Sequence, residues 1–150
     1  MPKLRHSLLA AAVSAALPLF AQAQPAPDLD SLTAAQAAAD ICAGKYTSEA
    51  LVGAALARAR ARADLNAFIT LDEAGALKAA KAADAARKRG ACKPLDGVPV
   101  VIKDNIEVAG LPASAGTPAL KGFVPKADAP VAAKLRAAGA IVLGKTNMHE

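Results

Sequence analysis

The sequence predicts an α/β fold, in which a helix-rich first half leads into a strand, a crossover with a helix, and a second strand. Three observations predict it. Much of the 54% hydrophobic fraction is alanine, which buries little area but favours helix. The stretch Val98, Val100, Val101 and Ile102 is apolar and β-branched, and Ala140 to Leu143 reads as a second buried strand. Between them lie a Gly/Pro/Ser-rich loop, Ala109 to Pro118, and a helical stretch that Asp128 is placed to cap.

The chain starts with an address. Lys3, Arg5 and His6 precede an uncharged apolar stretch from Leu8 to Phe20, and Ala21-Gln22-Ala23 follows, the pattern of a secretory signal peptide cleaved after Ala23. The stretch contains Pro18 and is shorter than the roughly 20 residues that span a bilayer, so no stable membrane anchor is expected after cleavage. Residues 24–30, with Pro25 and Pro27, read as a flexible leader, and residues 31–150 as the folded part. An exported protein, periplasmic or secreted, meets oxidising conditions. Cys42 and Cys92 then either form one disulfide or are two separately buried thiols.

The elements follow in order. Thr33 and Gln36 form a T-x-x-Q capping box for a short helix over 34–43, closed by Gly44. Thr47 or Ser48 caps a second helix to about Ala63, with Glu49 at its positive end and Arg58, Arg60 and Arg62 at its negative end. Leu51, Val52, Ala55, Leu56 and Ala59 share one face of it, leaving the arginines to water. Asn66 to Thr70 favours strand, and Asp72 caps an Ala/Lys-rich helix to about Lys88, closed by Gly90. The run from Val98 to Ile102 predicts a strand buried on both faces, irregular at Pro99; the next helix runs from Asp128 to Ala138 and Gly139 leads into the second strand. A strand, crossover and strand imply parallel pairing, with sites beyond the carboxyl ends. Lys103-Asp104-Asn105 and Gly144-Lys145-Thr146-Asn147 are expected there.

Composition excludes some functions. Of 18 basic residues, Lys3 and Arg5 leave with the signal, so 16 remain against 13 acidic, a net charge of +3. That balance, with no Trp and one Tyr, argues against nucleic-acid binding. No cofactor is called for, and His149 with two separated cysteines makes no zinc-ligand pattern. Gly139 to Thr146 formally matches G-x-x-x-x-G-K-[ST], but Ala140 to Leu143 reads as the strand itself, whereas a phosphate loop follows its strand.

Lys103 directly follows an apolar run, where desolvation disfavours the ammonium form, and a neutral lysine can act as a base. An ionised Asp104 close by would oppose this. Spacing alone favours the plainer reading of an exposed loop lysine.

The ordered stretches Pro94 to Asn105, Ala115 to Leu120, Gly122 to Pro125 and Gly139 to Met148 closely resemble the amidase-signature family, and the resemblance extends over Ser31 to Glu150. It implies the N-terminal part of an α/β/α sandwich around a mixed sheet. It also implies hydrolysis of a carboxylic amide by a serine, a second serine after a cis peptide bond, and a lysine that Lys103 matches. In such a triad the neutral lysine takes a proton through the second serine while the nucleophile forms an acyl-enzyme, with backbone N–H groups holding the oxyanion. The resemblance puts both serines beyond Glu150, so these residues alone are expected to lack turnover and to be part of a longer protein. The partner expected is a small-molecule amide substrate; the oligomeric state is left open. Within the family, the motifs look most like arylacetamide-type amidases such as indoleacetamide hydrolase, from which Asp96 and Asn147 depart. Two other readings remain: the amidotransferase component that amidates mischarged tRNA, which an exported chain does not suit, and an exported, inactive binding protein on the same scaffold.

Overall fold

The computed structural model describes residues 27–87, 90 and 92–148. The signal-peptide reading of residues 1–23 and the first residues of the leader lie outside that range. The ordered fold starts inside the assigned leader, because Leu29 packs against buried apolar side chains and Asp30 pairs with Arg58.

Helix α1 spans Ala34–Cys42, with the Thr33 hydroxyl accepting from the Gln36 amide at 3.1 Å. The reciprocal half of the capping box is not made. The Gln36 side-chain amide donates instead to the Asp40 carboxylate at 2.8 Å, which Lys45 also approaches. Helix α2, Ser48–Ala61, has Thr47 as its cap and a second, distant one: the Asp84 carboxylate accepts from the Ser48 and Glu49 amides at 2.8 and 3.0 Å. That places a negative charge at the positive helix end. Arg58, Arg60 and Arg62 are exposed and paired with Asp30, Glu73 and Asp64. Cys42, at the end of α1, is bonded to exposed Cys92 across a sequence separation of 50.

Strand β1, Phe68–Leu71, leads into α3, Glu73–Arg87, whose first turn the Asp72 carboxylate caps at the Gly75 amide. Strand β2 is Pro99–Lys103, α4 is Pro130–Ala137 and β3 is Ile141–Thr146. The sheet order is β1-β3-β2, with β1 antiparallel and β2 parallel to the central β3. The sheet is mixed, and the β2–β3 pairing is parallel, as the strand–crossover–strand pattern requires.

Three expectations are corrected. Burial on both faces describes β3, from Ile141 through Lys145, but not β2: among the described residues β2 is paired on one side, by β3, and Val101 is 48% exposed. Asp128 does not cap α4; Ala129 holds that position, Pro130 needs no amide partner, and the Asp128 carboxylate accepts from the Ala109 amide at 2.8 Å. The second strand runs on to Thr146, so Gly144-Lys145-Thr146 is strand and not a turn beyond it.

Helices cover both faces. Val52, Leu56, Ala76 and Ala80 from α2 and α3 pack on Ile141 and Leu143. Ile102 and Val142 pack with Val108, Leu111 and Ala132 of the crossover on the other side. A third cluster joins Ile41 and Leu51 to Val98 at the start of β2, where the buried Ser48 hydroxyl donates to the Gly97 carbonyl at 2.8 Å. Gly97 has φ +74°, and a Cβ there would lie 2.6 Å from that serine.

Candidate active site at the carboxyl end of the parallel strands

Lys103 is the last residue of β2 and the register partner of Thr146, and it is half-buried. The chain turns at once, with the Ile106 amide donating to the Lys103 carbonyl at 3.0 Å. The Asp104 amide donates to the Thr146 carbonyl at 3.0 Å, carrying the pairing one residue past Lys103. The strand end that carries the lysine is therefore held by backbone on both sides.

Side-chain alternation separates Lys103 from its neighbours. Ile102 and Lys145 are register partners on the packed face with Val142, and Lys103 shares the opposite face with Val101. A shift in register between Val100 and Val101 opposite β3 brings Lys145 onto that packed face.

Asp104 and Lys145 are both 0% exposed and meet at 3.3 Å. The Lys145 ammonium also donates to the Asp104 carbonyl at 3.4 Å and the Pro112 carbonyl at 3.2 Å. The other Asp104 carboxylate oxygen accepts from the Ser114 amide at 2.9 Å, the Ser114 hydroxyl at 2.6 Å and the Gly116 amide at 3.4 Å. The left-handed conformations of Ala115 and Gly116, φ +49° and +67°, curl the loop around that carboxylate. Burial alone would push the Asp104 carboxyl up; the hydrogen bonds from Ser114, Lys145 and Gly116 outweigh it and hold the group below the ordinary carboxylate value.

The loop so fastened borders an open groove lined by Ile69, Pro112, Ser114, Thr117, Lys121 and Asn147 among others. Asn147 closes its far side, donating through its amide to the Ala67 carbonyl at 2.9 Å and through its side chain to the Asn66 carbonyl at 3.2 Å. Lys103 does not line this groove.

The structure thus brings Lys103, Asp104, Ser114, Lys145 and Asn147 to one end of the sheet. Cys42 and Cys92 lie apart from that end, at the close of α1 and after α3. Sequence reasoning misses the Asp104–Ser114–Lys145 unit. Its signal is faint: only a second strand extended to Thr146 turns Lys145 inward beside Ile102. The formal phosphate-loop match is closed off as well, since Lys145 spends its ammonium on two carbonyls and one carboxylate.

A mixed sheet with helices on both faces defines the class, an α/β protein, and Lys103 stands where one of its parallel strands ends. The Amidase family model matches residues 50–150, and the chain belongs to that family. Mandelamide hydrolase of Pseudomonas putida is 47% identical over 133 residues, which cover 88% of this chain and 26% of that protein. A glutamyl-tRNA(Gln) amidotransferase polypeptide of Streptomyces coelicolor is 42% identical over 125 residues, covering 82% and 25%. Among solved structures, native peptide amidase from Stenotrophomonas maltophilia superposes with a TM-score of 0.75 at 41% identity, covering 83% of this chain and 26% of that one. The chain spans about a quarter of the length of the curated relatives it matches.

Proposed function

We propose that the polypeptide carrying this region is an amidase that hydrolyses a small carboxylic amide, with Lys103 as the base of a Ser-cisSer-Lys triad. The observation that carries this reading is the position of Lys103: the end of a parallel strand, half-buried, with its two backbone neighbours tied into the ladder. The lysine takes the proton passed from the attacking serine by the second serine and returns it to the leaving amine. Similarity to mandelamide hydrolase and to peptide amidase favours an amide of an acid or peptide as substrate. The test is Lys103→Ala in the complete polypeptide, scored by ammonia or amine release from a panel of arylacetamides and peptide amides. Loss of at least about a hundredfold in kcat, with the fold kept, supports the role; retained turnover refutes it.

Similarity to glutamyl-tRNA(Gln) amidotransferase polypeptides supports a second reading, transfer of ammonia to a mischarged tRNA. Glutamine-dependent amidation of glutamyl-tRNA(Gln), with no release of acid from simple amides, would favour it. We also propose that the protein is exported. The bond between exposed Cys42 and Cys92 supports this, because such bonds persist in oxidising compartments. N-terminal sequencing of extracellular or periplasmic material starting at Gln24 supports export, and a cytosolic product that retains Met1 refutes it.

A further inference from the structure

We propose that Asp104 and Lys145 are positioning residues for Lys103, a neutral buried pair that fixes the strand end while cancelling the charge Asp104 would otherwise set beside the base. The inference rests on the reading of Lys103 as base, and extends it to two residues on the opposite face of the sheet.

The sequence holds a conflict. A carboxylate adjacent to a lysine favours its ammonium form, which cannot accept a proton. Here the carboxylate, itself fully buried, lies on the opposite face of the strand from Lys103, and the fully buried Lys145 supplies an equal positive charge 3.3 Å from it. Viewed from the far face, a compensated pair acts as a weak dipole. The same contacts tie three segments together: the turn after β2, the loop 112–116 and β3.

The other charged groups named on the neighbouring elements are paired or exposed at the surface. On α2, Glu49 pairs with Lys81, Arg58 with Asp30 and Arg60 with Glu73, all exposed. On the crossover side Arg136 pairs with Asp128, while Glu107, Lys121 and Lys134 are exposed. Lys145 is thus the buried cation set against Asp104.

The test is the pH dependence of kcat/KM for amide hydrolysis by the complete polypeptide. Lys145→Met leaves Asp104 uncompensated, and the acid limb moves to higher pH by about half a unit; Asp104→Asn leaves Lys145 uncompensated and moves it down by a similar amount. The double variant Asp104→Asn with Lys145→Met returns the limb to its original position. A structural role alone predicts no opposed shifts, so folded single variants whose limbs stay put, or move the same way, overturn the proposal. If neither single variant folds, Ser114→Ala decides: a several-fold fall in kcat at constant KM supports positioning, and unchanged kcat overturns it. Should Lys103→Ala itself retain activity, the base assignment fails, a result separate from all of these.

Discussion

Replacing Lys145 by alanine tests how the site end of the sheet is held. The ammonium group is fully buried and donates to three oxygens, at 3.2 Å (Pro112 carbonyl), 3.3 Å (Asp104 carboxylate) and 3.4 Å (Asp104 carbonyl). Removing one partner of a buried pair leaves the other charge uncompensated, which costs about 3–5 kcal/mol. Ser114 and Gly116 still donate to Asp104, so the lower part of that range is expected. The sign with pH follows from Asp104. In the parent its carboxyl sits below the ordinary value near 3.8, so its contribution is complete above that pH and is lost as pH falls through the lower native value. In the variant the missing cation pushes the carboxyl up, and protonation relieves the penalty as the solution is acidified. Urea unfolding followed by circular dichroism should give a deficit of about 3 kcal/mol at pH 7 that shrinks towards pH 4. A deficit below about 1 kcal/mol at pH 7, or one independent of pH, would refute the reasoning.

Two further outcomes follow from close contacts and covalent structure. A Cβ on Gly144 would sit 2.1 Å from the Thr70 carbonyl oxygen and 3.0 Å from the Leu71 Cα, so Gly144→Ala must part β1 from β3; a loss of about 2–3 kcal/mol or more is expected by urea denaturation, and a loss under about 0.5 kcal/mol would contradict the register. The Cys42–Cys92 bond closes a loop of sequence separation 50, worth about 4 kcal/mol in chain entropy, so Cys42→Ser with Cys92→Ser, or full reduction, should lower the urea midpoint accordingly; an unchanged midpoint would contradict the entropy argument.

Local rules carried the fold well where the deciding residues are neighbours. The Thr47 cap, the Asp72 cap and the parallel strand pair all follow from side chains within a few positions of the elements they govern. They failed where a distant residue competes. Asp128 looks like a helix cap in sequence, but the Ala109 amide, 19 residues away, takes its carboxylate. Asp84 caps α2 from 36 residues downstream, a contact no local pattern announces. At the candidate site, the position of Lys103 at the end of a strand was legible from the apolar run before it. The Asp104–Lys145 pair was not, because the two are 41 residues apart and meet only once β2 and β3 align. In sequence Lys145 is simply another motif lysine, a natural comparison for Lys103; in the fold it is fully buried and paired with Asp104.

The most direct test of the central claim restores the amine chemically. Lys103→Cys in the complete polypeptide, followed by aminoethylation with 2-bromoethylamine, rebuilds a side chain of lysine length with an ammonium end. The cysteine variant should be inactive on simple amides, and aminoethylation should return turnover. Parent-like activity in the unmodified cysteine variant would contradict that claim.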